Sequence, residues 1–154
     1  MKIFVSHKKE DAIIANAIAN ELKRLGISCY LDLLDAGMVL NGKALTEHIK
    51  HNLNNCTDII VVMSEITRYS QWVPFEVGMS AQKDMPTATY LKEDVDLPSF
   101  LSYWPRLKKL SDIQKYVSAR NEVQREYLHK SLYENASFTR SQTDRFYEVL
   151  KQKL

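Results

Sequence analysis

Short apolar runs alternate with segments of helical period in this chain, and that alternation constrains the fold more than any other feature. Runs rich in β-branched and aromatic residues lie at Ile3–Val5, Ile27–Leu31, Ile59–Met63 and Thr87–Leu91. Runs without polar alternation are typical of strands buried on both faces of a sheet. Because helical segments separate them, the pattern predicts an open parallel β-sheet of about five strands with helices on both faces, an α/β fold of the flavodoxin-like kind.

The helical segments carry their own start and stop signals. Apolar residues recur at helical spacing from Asp11 until Gly26, a residue type that commonly follows the last helical turn. A second helix is predicted from the spacing of Leu45, Ile49 and Leu53. A third is predicted over Gln71–Lys83, with Ser70 as its N-cap and Pro74 in its first turn.

The rest of the chain gives weaker signals. Residues 93–105 read as a loop because they contain two prolines, and a short strand is predicted over Arg106–Leu110. Beyond Ser111 the apolar spacing predicts a long amphipathic helix and then a shorter closing helix around Phe146. We interpret residues 1–154 as a single domain.

Composition narrows the classes of function. The 154 residues are 45% hydrophobic and carry a formal net charge of +2, so a full core is expected and nothing indicates binding to nucleic acid. Cys29 and Cys56 have no neighbours at metal-ligand spacing, so we expect reduced thiols and no metal site. Polar residues from Ser6 onward interrupt the N-terminus too early for a signal peptide, and no run is long enough to span a membrane. We therefore expect a cytoplasmic protein without a membrane partner.

A tryptophan and a glutamate at helical spacing mark the most distinctive local sequence. Trp72 and Glu76 are four residues apart in the third predicted helix, which follows the third strand. In a parallel α/β fold, ligands bind beyond the carboxyl ends of the strands. An indole offers a flat stacking surface there, and a carboxylate beside it is partly desolvated. The alternative interpretation is that Trp72 and Phe75 are core residues and Glu76 is a solvated helix residue.

Several segments together resemble Toll/interleukin-1 receptor (TIR) domains. The run from Ile3 to Asp11 resembles their opening box, and Gly26–Asp32 resembles their second strand. Asp35–Gly42 resembles their BB loop, and Asp58–Ser64 their third strand. The spacing Ser70-x-Trp72-x-x-x-Glu76 resembles the box that holds the catalytic glutamate of NAD-cleaving members. The resemblance covers about residues 1–92, and residues 93–154 then hold a closing strand and C-terminal helices.

The resemblance implies cleavage of the bond between nicotinamide and ribose in NAD⁺, which is the substrate rather than a bound cofactor. The products would be nicotinamide and either ADP-ribose or a cyclic ADP-ribose signal. Ordinary glycosidases use a second carboxyl group to protonate a poor leaving group. The nicotinamide of NAD⁺ is a cationic pyridinium that becomes neutral when it leaves, so no acid is needed to protonate it. Glu76 would need only to hold the ribose and stabilise the developing oxocarbenium ion.

Further substrate-binding residues are predicted at the same edge. Trp72 would stack on an aromatic ring of the ligand. The remaining predicted substrate-binding residues are polar or charged and follow strands or lie in the adjoining loop: Ser6, His7, Lys8, Asp32, Ser64 and Arg68. Each has an ordinary structural alternative, namely a solvated loop residue for the charged groups and a turn or helix cap for Asp32 and Ser64.

The BB-like loop is predicted to mediate assembly. TIR enzymes associate head to tail, with this loop closing over a neighbouring pocket, and such contacts extend into filaments. The contact residues would be Leu33, Leu34, Gly37, Met38, Val39 and Leu40. The alternative is that these apolar residues fold back onto the core of their own domain.

Two rival functions stay open from the sequence. A non-catalytic TIR scaffold would act only through TIR–TIR association. An enzyme resembling nucleoside deoxyribosyltransferases would share the sheet and a nucleophilic glutamate, and would form a covalent sugar intermediate. A short chain of this type most resembles bacterial stand-alone TIR proteins of the Thoeris antiviral defence, in which a nucleotide product signals to a separate effector.

Overall fold

Five parallel strands form one sheet. The structure is a computed structural model that describes residues 1–31, 42–91, 95–97, 99–133 and 141–154. The strand order is β2-β1-β3-β4-β5, and every neighbouring pair is parallel. The strands are β1 (Lys2–Ser6), β2 (Ser28–Leu31), β3 (Asp58–Val62), β4 (Thr87–Tyr90) and β5 (Arg106–Leu107). The predicted α/β class with an open parallel sheet is confirmed.

Helices connect the strands and cover both faces of the sheet. They are α1 (Ala12–Arg24), α2 (Gly42–Asn54), α3 (Trp72–Gln82), the short α4 (Ser99–Ser102), α5 (Ser111–Tyr133) and α6 (Gln142–Lys153). Helices α1, α5 and α6 bury apolar side chains against one face of the sheet, around Ile3, Val5 and Ile60. Helices α2 and α3 cover the other face, around Phe4 and Ile59.

The end of α1 confirms the glycine stop signal. Gly26 has a φ of 72°, a left-handed conformation that costs a glycine little. Its N–H donates to the Lys23 carbonyl at 3.0 Å, and the Ile27 N–H donates to the Leu22 carbonyl at 2.9 Å. This pair of bonds is the Schellman motif, and it turns the chain from α1 directly into β2.

Three local predictions are wrong in detail: the loop predicted over residues 93–105 contains α4, and the other two concern the start of α3 and the end of β5. The N-cap of α3 is Gln71 rather than Ser70, whose hydroxyl accepts from the Val73 N–H over a long 3.4 Å. The last strand ends at Leu107 instead of continuing to Leu110. It ends there because the N–H groups of Lys108 and Lys109 both donate to the Asp112 carboxylate at 3.0 Å, which turns the chain into α5.

A buried carboxylate joins the C-terminal helices to the centre of the sheet. Asp58, the first residue of β3, is fully buried. The Arg120 guanidinium donates to its Oδ1 from Nε at 2.5 Å, and the Tyr116 hydroxyl donates to the same oxygen at 3.0 Å. Thr57 donates to Oδ2 at 2.6 Å. Burial, reinforced by the Asp58 charge, raises the pKa of Tyr116 well above its usual value, so the phenol remains a donor.

We predict that Arg120→Met lowers the free energy of unfolding by about 3–5 kcal/mol, because it leaves the buried Asp58 charge without its cation. Urea unfolding followed by circular dichroism measures the change. Arg125→Met is the matched control, since Arg125 lies on the same helix and its Nε donates to the Asn121 carbonyl in an exposed hydrogen bond of 3.2 Å. Equal losses in the two variants would contradict a role for Arg120 in compensating Asp58.

We predict a pH-dependent contribution from Asp112 at the start of α5. Burial disfavours its charge, but Lys115 and the N–H groups of Lys108 and Lys109 outweigh that effect and lower the pKa of Asp112. A folded-state pKa below the unfolded value stabilises the protein above about pH 4, and this stabilisation is lost as the pH falls through the folded-state pKa. The stability difference between wild type and Asp112→Asn should therefore shrink on acidification, as measured by urea unfolding at stepped pH. A constant difference would contradict this account.

Candidate active site

The candidate site lies where the direction of strand addition reverses. The sheet proceeds from β1 outward to β2 on one side and through β3, β4 and β5 on the other. In this topology the connections leaving β1 and β3 diverge to opposite faces of the sheet, and a crevice opens between their carboxyl ends. Ser6 ends β1, and the chain leaving β3 leads into α3, which carries Glu76.

Ser6 and Glu76 meet at this point. The Ser6 hydroxyl donates a short hydrogen bond to Oε2 of Glu76. Ser6 is fully buried and Glu76 is only 2% exposed. Burying a carboxylate is costly unless hydrogen bonds compensate it, and the bond from Ser6 supplies part of that compensation. The interpretation of Glu76 as a solvated helix residue is therefore wrong.

The aromatic residues beside Glu76 lie at the surface rather than in the core. Trp72 is 41% exposed and Phe75 is 38% exposed. Their rings contact edge to face, with centroids 5.8 Å apart and planes at 85°. Phe75 also lines a groove of about 470 Å³ between α2 and α3. The core interpretation of both rings is wrong, and the indole of Trp72 retains the accessible surface that stacking on a ligand requires.

The residues following β1 also border this edge. His7 is half-buried, and its Nδ1 lies 3.2 Å from the Val5 carbonyl oxygen, which orients the ring. The Lys8 carbonyl accepts from the Asp11 N–H at 2.9 Å and closes a tight turn over Lys9–Asp11. Both residues therefore lie next to Ser6, where their contact with a substrate stays a prediction.

Ser64 has a structural role in the connection between β3 and α3. Its hydroxyl donates to Oδ2 of Asp11 at 2.9 Å and accepts from the Thr67 N–H at 3.1 Å. The structure thus supports the turn-cap interpretation of Ser64, while its contact with a substrate stays a prediction. Arg68 lies in the following 3-10 turn, Thr67–Tyr69, and its side chain is outside the described part of the chain.

Other predicted residues fall outside the described ranges. Asp32 is one of them. The others are the predicted assembly residues Leu33, Leu34, Gly37, Met38, Val39 and Leu40. Their roles stay predictions.

The described residues also bear on metal binding and thiol chemistry. Across the described ranges, no group of three or more His, Cys, Asp or Glu residues could hold a metal ion. Cys29 and Cys56 are both free thiols, and burial raises the pKa of each. Raised values favour the unreactive thiol over the thiolate. None of the described helices is long and apolar enough to cross a membrane.

The strand order and the position of the site define a flavodoxin-like α/β protein with a buried carboxylate at its switch point. The sequence profile of the TIR domain family matches residues 3–129. The chain belongs to the TIR domain family, and the resemblance found in the sequence is confirmed.

Individual proteins resemble the chain in sequence or in fold. The chain is 28% identical over 79 residues to the probable 3' cyclic ADP-D-ribose synthase ThsB' of Bacillus cereus strain MSX-D12. That match covers 49% of this chain and 41% of the relative, so it spans less than half of the relative's length.

The structural likenesses concern the fold alone. The TIR domain of the Toll-related receptor TRR-2 from Hydra magnipapillata superposes with a TM-score of 0.56 at 20% identity, over 68% of this chain and 81% of that one. The 2-deoxyribosyltransferase of Bacillus psychrosaccharolyticus has a TM-score of 0.60 at 11% identity, over 73% and 90%.

We predict that Ser6 and Glu76 are energetically coupled. Ser6→Ala should lower the free energy of unfolding by about 1–3 kcal/mol, because it removes a donor from a buried carboxylate. The loss should be smaller in a Glu76→Gln background, giving a coupling energy of about 0.5–3 kcal/mol in a double-mutant cycle. Urea unfolding of the four proteins measures it.

The control pairs Glu76→Gln with Thr143→Ala. Thr143 on α6 donates a part-buried hydrogen bond of 2.7 Å from its hydroxyl to the Asp84 carbonyl, in the turn that follows α3. Its effect should add to that of Glu76→Gln, because separated sites without shared partners are independent. Additive behaviour of Ser6 and Glu76 would refute the coupling.

Proposed function

We propose that this protein cleaves the N-glycosidic bond between nicotinamide and ribose in NAD⁺, with Glu76 as the catalytic residue. The observation that carries the proposal is the buried Glu76 carboxylate, bonded to Ser6 at the switch point of the sheet. Membership of the TIR domain family supports it, and so does the name of the Bacillus cereus relative, a probable cyclic ADP-ribose synthase.

The chemistry suits a single buried carboxylate. When the bond between the ribose carbon and the pyridinium nitrogen breaks, its electron pair goes to the nitrogen and nicotinamide leaves as a neutral molecule. Positive charge then develops on the ribose as an oxocarbenium ion. The Glu76 carboxylate, fixed in a low-dielectric site, stabilises that charge more strongly than water does. Nucleophilic attack on the ribose, with loss of a proton to solvent, completes the reaction.

The other residues of the site would bind the substrate. Ser6 holds Glu76 in a fixed orientation through its hydroxyl. The exposed indole of Trp72 would stack on an aromatic ring of the dinucleotide. His7, Lys8 and Arg68 would contact its phosphates, since guanidinium and ammonium groups bind phosphate oxygens well. Asp32 and Ser64 would contact the ribose hydroxyls.

The identity of the nucleophile determines the product. Water gives ADP-ribose, and a hydroxyl or ring nitrogen of the same molecule gives a cyclic ADP-ribose. We favour the cyclic product because the relative is named as a 3' cyclic ADP-D-ribose synthase. A diffusible cyclic nucleotide would act on a separate effector, which is the basis for proposing a cytoplasmic role in bacterial antiviral defence.

Self-association forms part of the proposal. We propose that the predicted loop around Leu33–Leu40 packs against a neighbouring copy, so that activity rises with protein concentration. Head-to-tail contacts of this kind do not close on themselves and extend into open assemblies.

We predict that concentrated wild-type protein releases nicotinamide from NAD⁺ and that Glu76→Gln lowers the rate by about 10²–10³-fold, because it removes the charge that stabilises the transition state. Chromatography of nicotinamide and of the nucleotide products measures both rates and separates linear from cyclic ADP-ribose. Glu65→Gln is the matched control, since Glu65 is an exposed carboxylate in the same connection between β3 and α3.

Three other outcomes would each contradict part of the proposal. Equal activity of wild type and Glu76→Gln would remove Glu76 from the reaction. Base exchange between deoxynucleosides, with no action on NAD⁺, would favour the deoxyribosyltransferase alternative. No turnover of either substrate, even when crowding agents force assembly, would favour a scaffold that acts through TIR–TIR association alone.

A further inference from the structure

We propose that Asp11 is a positioning residue: its carboxylate fixes the connection between β3 and α3, and through it the start of the helix that carries Glu76. This inference rests on the proposed function, in which Glu76 is the catalytic residue. Asp11 lies at the end of the turn after β1 and is only 6% exposed.

One carboxylate oxygen of Asp11 accepts hydrogen bonds from two hydroxyls in the connection between β3 and α3. The Ser64 hydroxyl donates to Oδ2 at 2.9 Å, and the Thr67 hydroxyl donates a short hydrogen bond to the same oxygen. Thr67 is 1% exposed, so this bond is shielded from water. Hydrogen bonds to a charged acceptor are about twice as strong as neutral ones, and shielding strengthens them further.

The same cluster folds the connection into its turn. The Ser64 hydroxyl accepts from the N–H groups of Ile66 at 3.2 Å and Thr67 at 3.1 Å. The Ser70 N–H then donates to the Thr67 carbonyl at 2.8 Å. Helix α3 begins at Trp72, directly after this turn. The position of the first turn of α3 therefore depends on where Asp11 holds Thr67.

Two cross-links consequently join the same pair of chain segments. The hydrogen bond between Ser6 and Glu76 joins the end of β1 to α3. The hydrogen bond between Thr67 and Asp11 joins the connection after β3 to the turn after β1. With both bonds in place, the segment after β1 and the segment after β3 cannot shift relative to each other. With only the Ser6 bond, α3 can pivot about it, and the Glu76 carboxylate loses its fixed orientation. A displacement of about 1 Å at a catalytic group can cost about a hundredfold in rate.

The test compares variants that remove the cross-link with variants that keep it. Asp11→Ala and Thr67→Val remove the acceptor and the donor, whereas Asp11→Asn keeps an amide oxygen and Thr67→Ser keeps the hydroxyl. We expect Asp11→Ala and Thr67→Val to lower kcat for NAD⁺ cleavage by about tenfold to a hundredfold with little change in KM. Asp11→Asn and Thr67→Ser should retain most of the wild-type kcat.

The double variant Asp11→Ala/Thr67→Val separates positioning from general destabilisation. Its kcat should equal that of Asp11→Ala rather than reflect the product of the two single losses, because Thr67→Val breaks one of the two bonds that Asp11→Ala already breaks. All rates are measured well below the melting temperature of each variant, so that loss of folded protein does not contribute. If Asp11→Asn lowers kcat as far as Asp11→Ala does while amide exchange at the start of α3 stays at the wild-type rate, the charge itself acts in the reaction and the positioning role is refuted. Wild-type kcat in Thr67→Val would also refute it.

Amide hydrogen exchange tests the cross-link without any substrate. Asp11→Ala should speed exchange of the Ile66 and Thr67 amides and of the first turn of α3 by about tenfold or more, while exchange in α5 stays unchanged. Asp11→Asn should leave both regions at wild-type rates. If the wild-type protein does not cleave NAD⁺, the proposed function fails, and hydrogen exchange then tests by itself whether Asp11 fixes the connection between β3 and α3. Unchanged exchange in Asp11→Ala would overturn it.

Discussion

The buried charge of Asp58 is the constraint on which the arrangement of the whole molecule depends. A carboxylate at the start of the central strand, fully removed from water, requires a cation and several donors. Arg120 and Tyr116 supply them from α5, and the Arg120 guanidinium also lies 5.4 Å from the centre of the Phe146 ring on α6. The two C-terminal helices are therefore tied to the centre of the sheet. Together with α1, they cover one face of the sheet.

The Asp58 cluster and the candidate site lie at opposite ends of the sheet. The Asp58 cluster lies where β3 begins, whereas the chain leaving β3 forms the connection that holds Ser64 and Thr67 and then enters α3, which carries Glu76. Four steps of about 3.3 Å lead from Asp58 to Val62, so the two ends of the strand are about 13 Å apart. The candidate site lies at the carboxyl end because the connections from two neighbouring strands diverge there and leave space for a ligand.

Local sequence signals predicted most of the fold. The strands β1 to β4 and their helices lie within one or two residues of their predicted bounds, except that α2 begins at Gly42, because continuous apolar runs and the Gly26 stop act over short distances. Glu76 was identified from its spacing to Trp72 and from the family resemblance. The exposure of Trp72 and Phe75 was harder to foresee, because α3 is apolar around most of its circumference and periodicity cannot then distinguish its faces.

The contacts that hold the site were beyond sequence reasoning. Asp11 and Thr67 are 56 residues apart, and Asp58 and Arg120 are 62 apart. No local pattern links such pairs, since the topology of the sheet alone brings them together. Thr67 carried no signal of its own. Asp11 was visible only as the last residue of a box resembling the TIR opening motif.

The separation of the Asp58 cluster from the candidate site has an evolutionary consequence. Substitutions in the loops after β1 and β3 leave the ion pair at the opposite end of β3 intact, so new specificities can arise there without loss of the folded state. Chains with this fold can have very different sequences and still superpose, as the TM-score of 0.60 at 11% identity shows. If the buried charge cluster and the loops of the candidate site lay at the same end of the sheet, those loops would tolerate far fewer amino-acid substitutions.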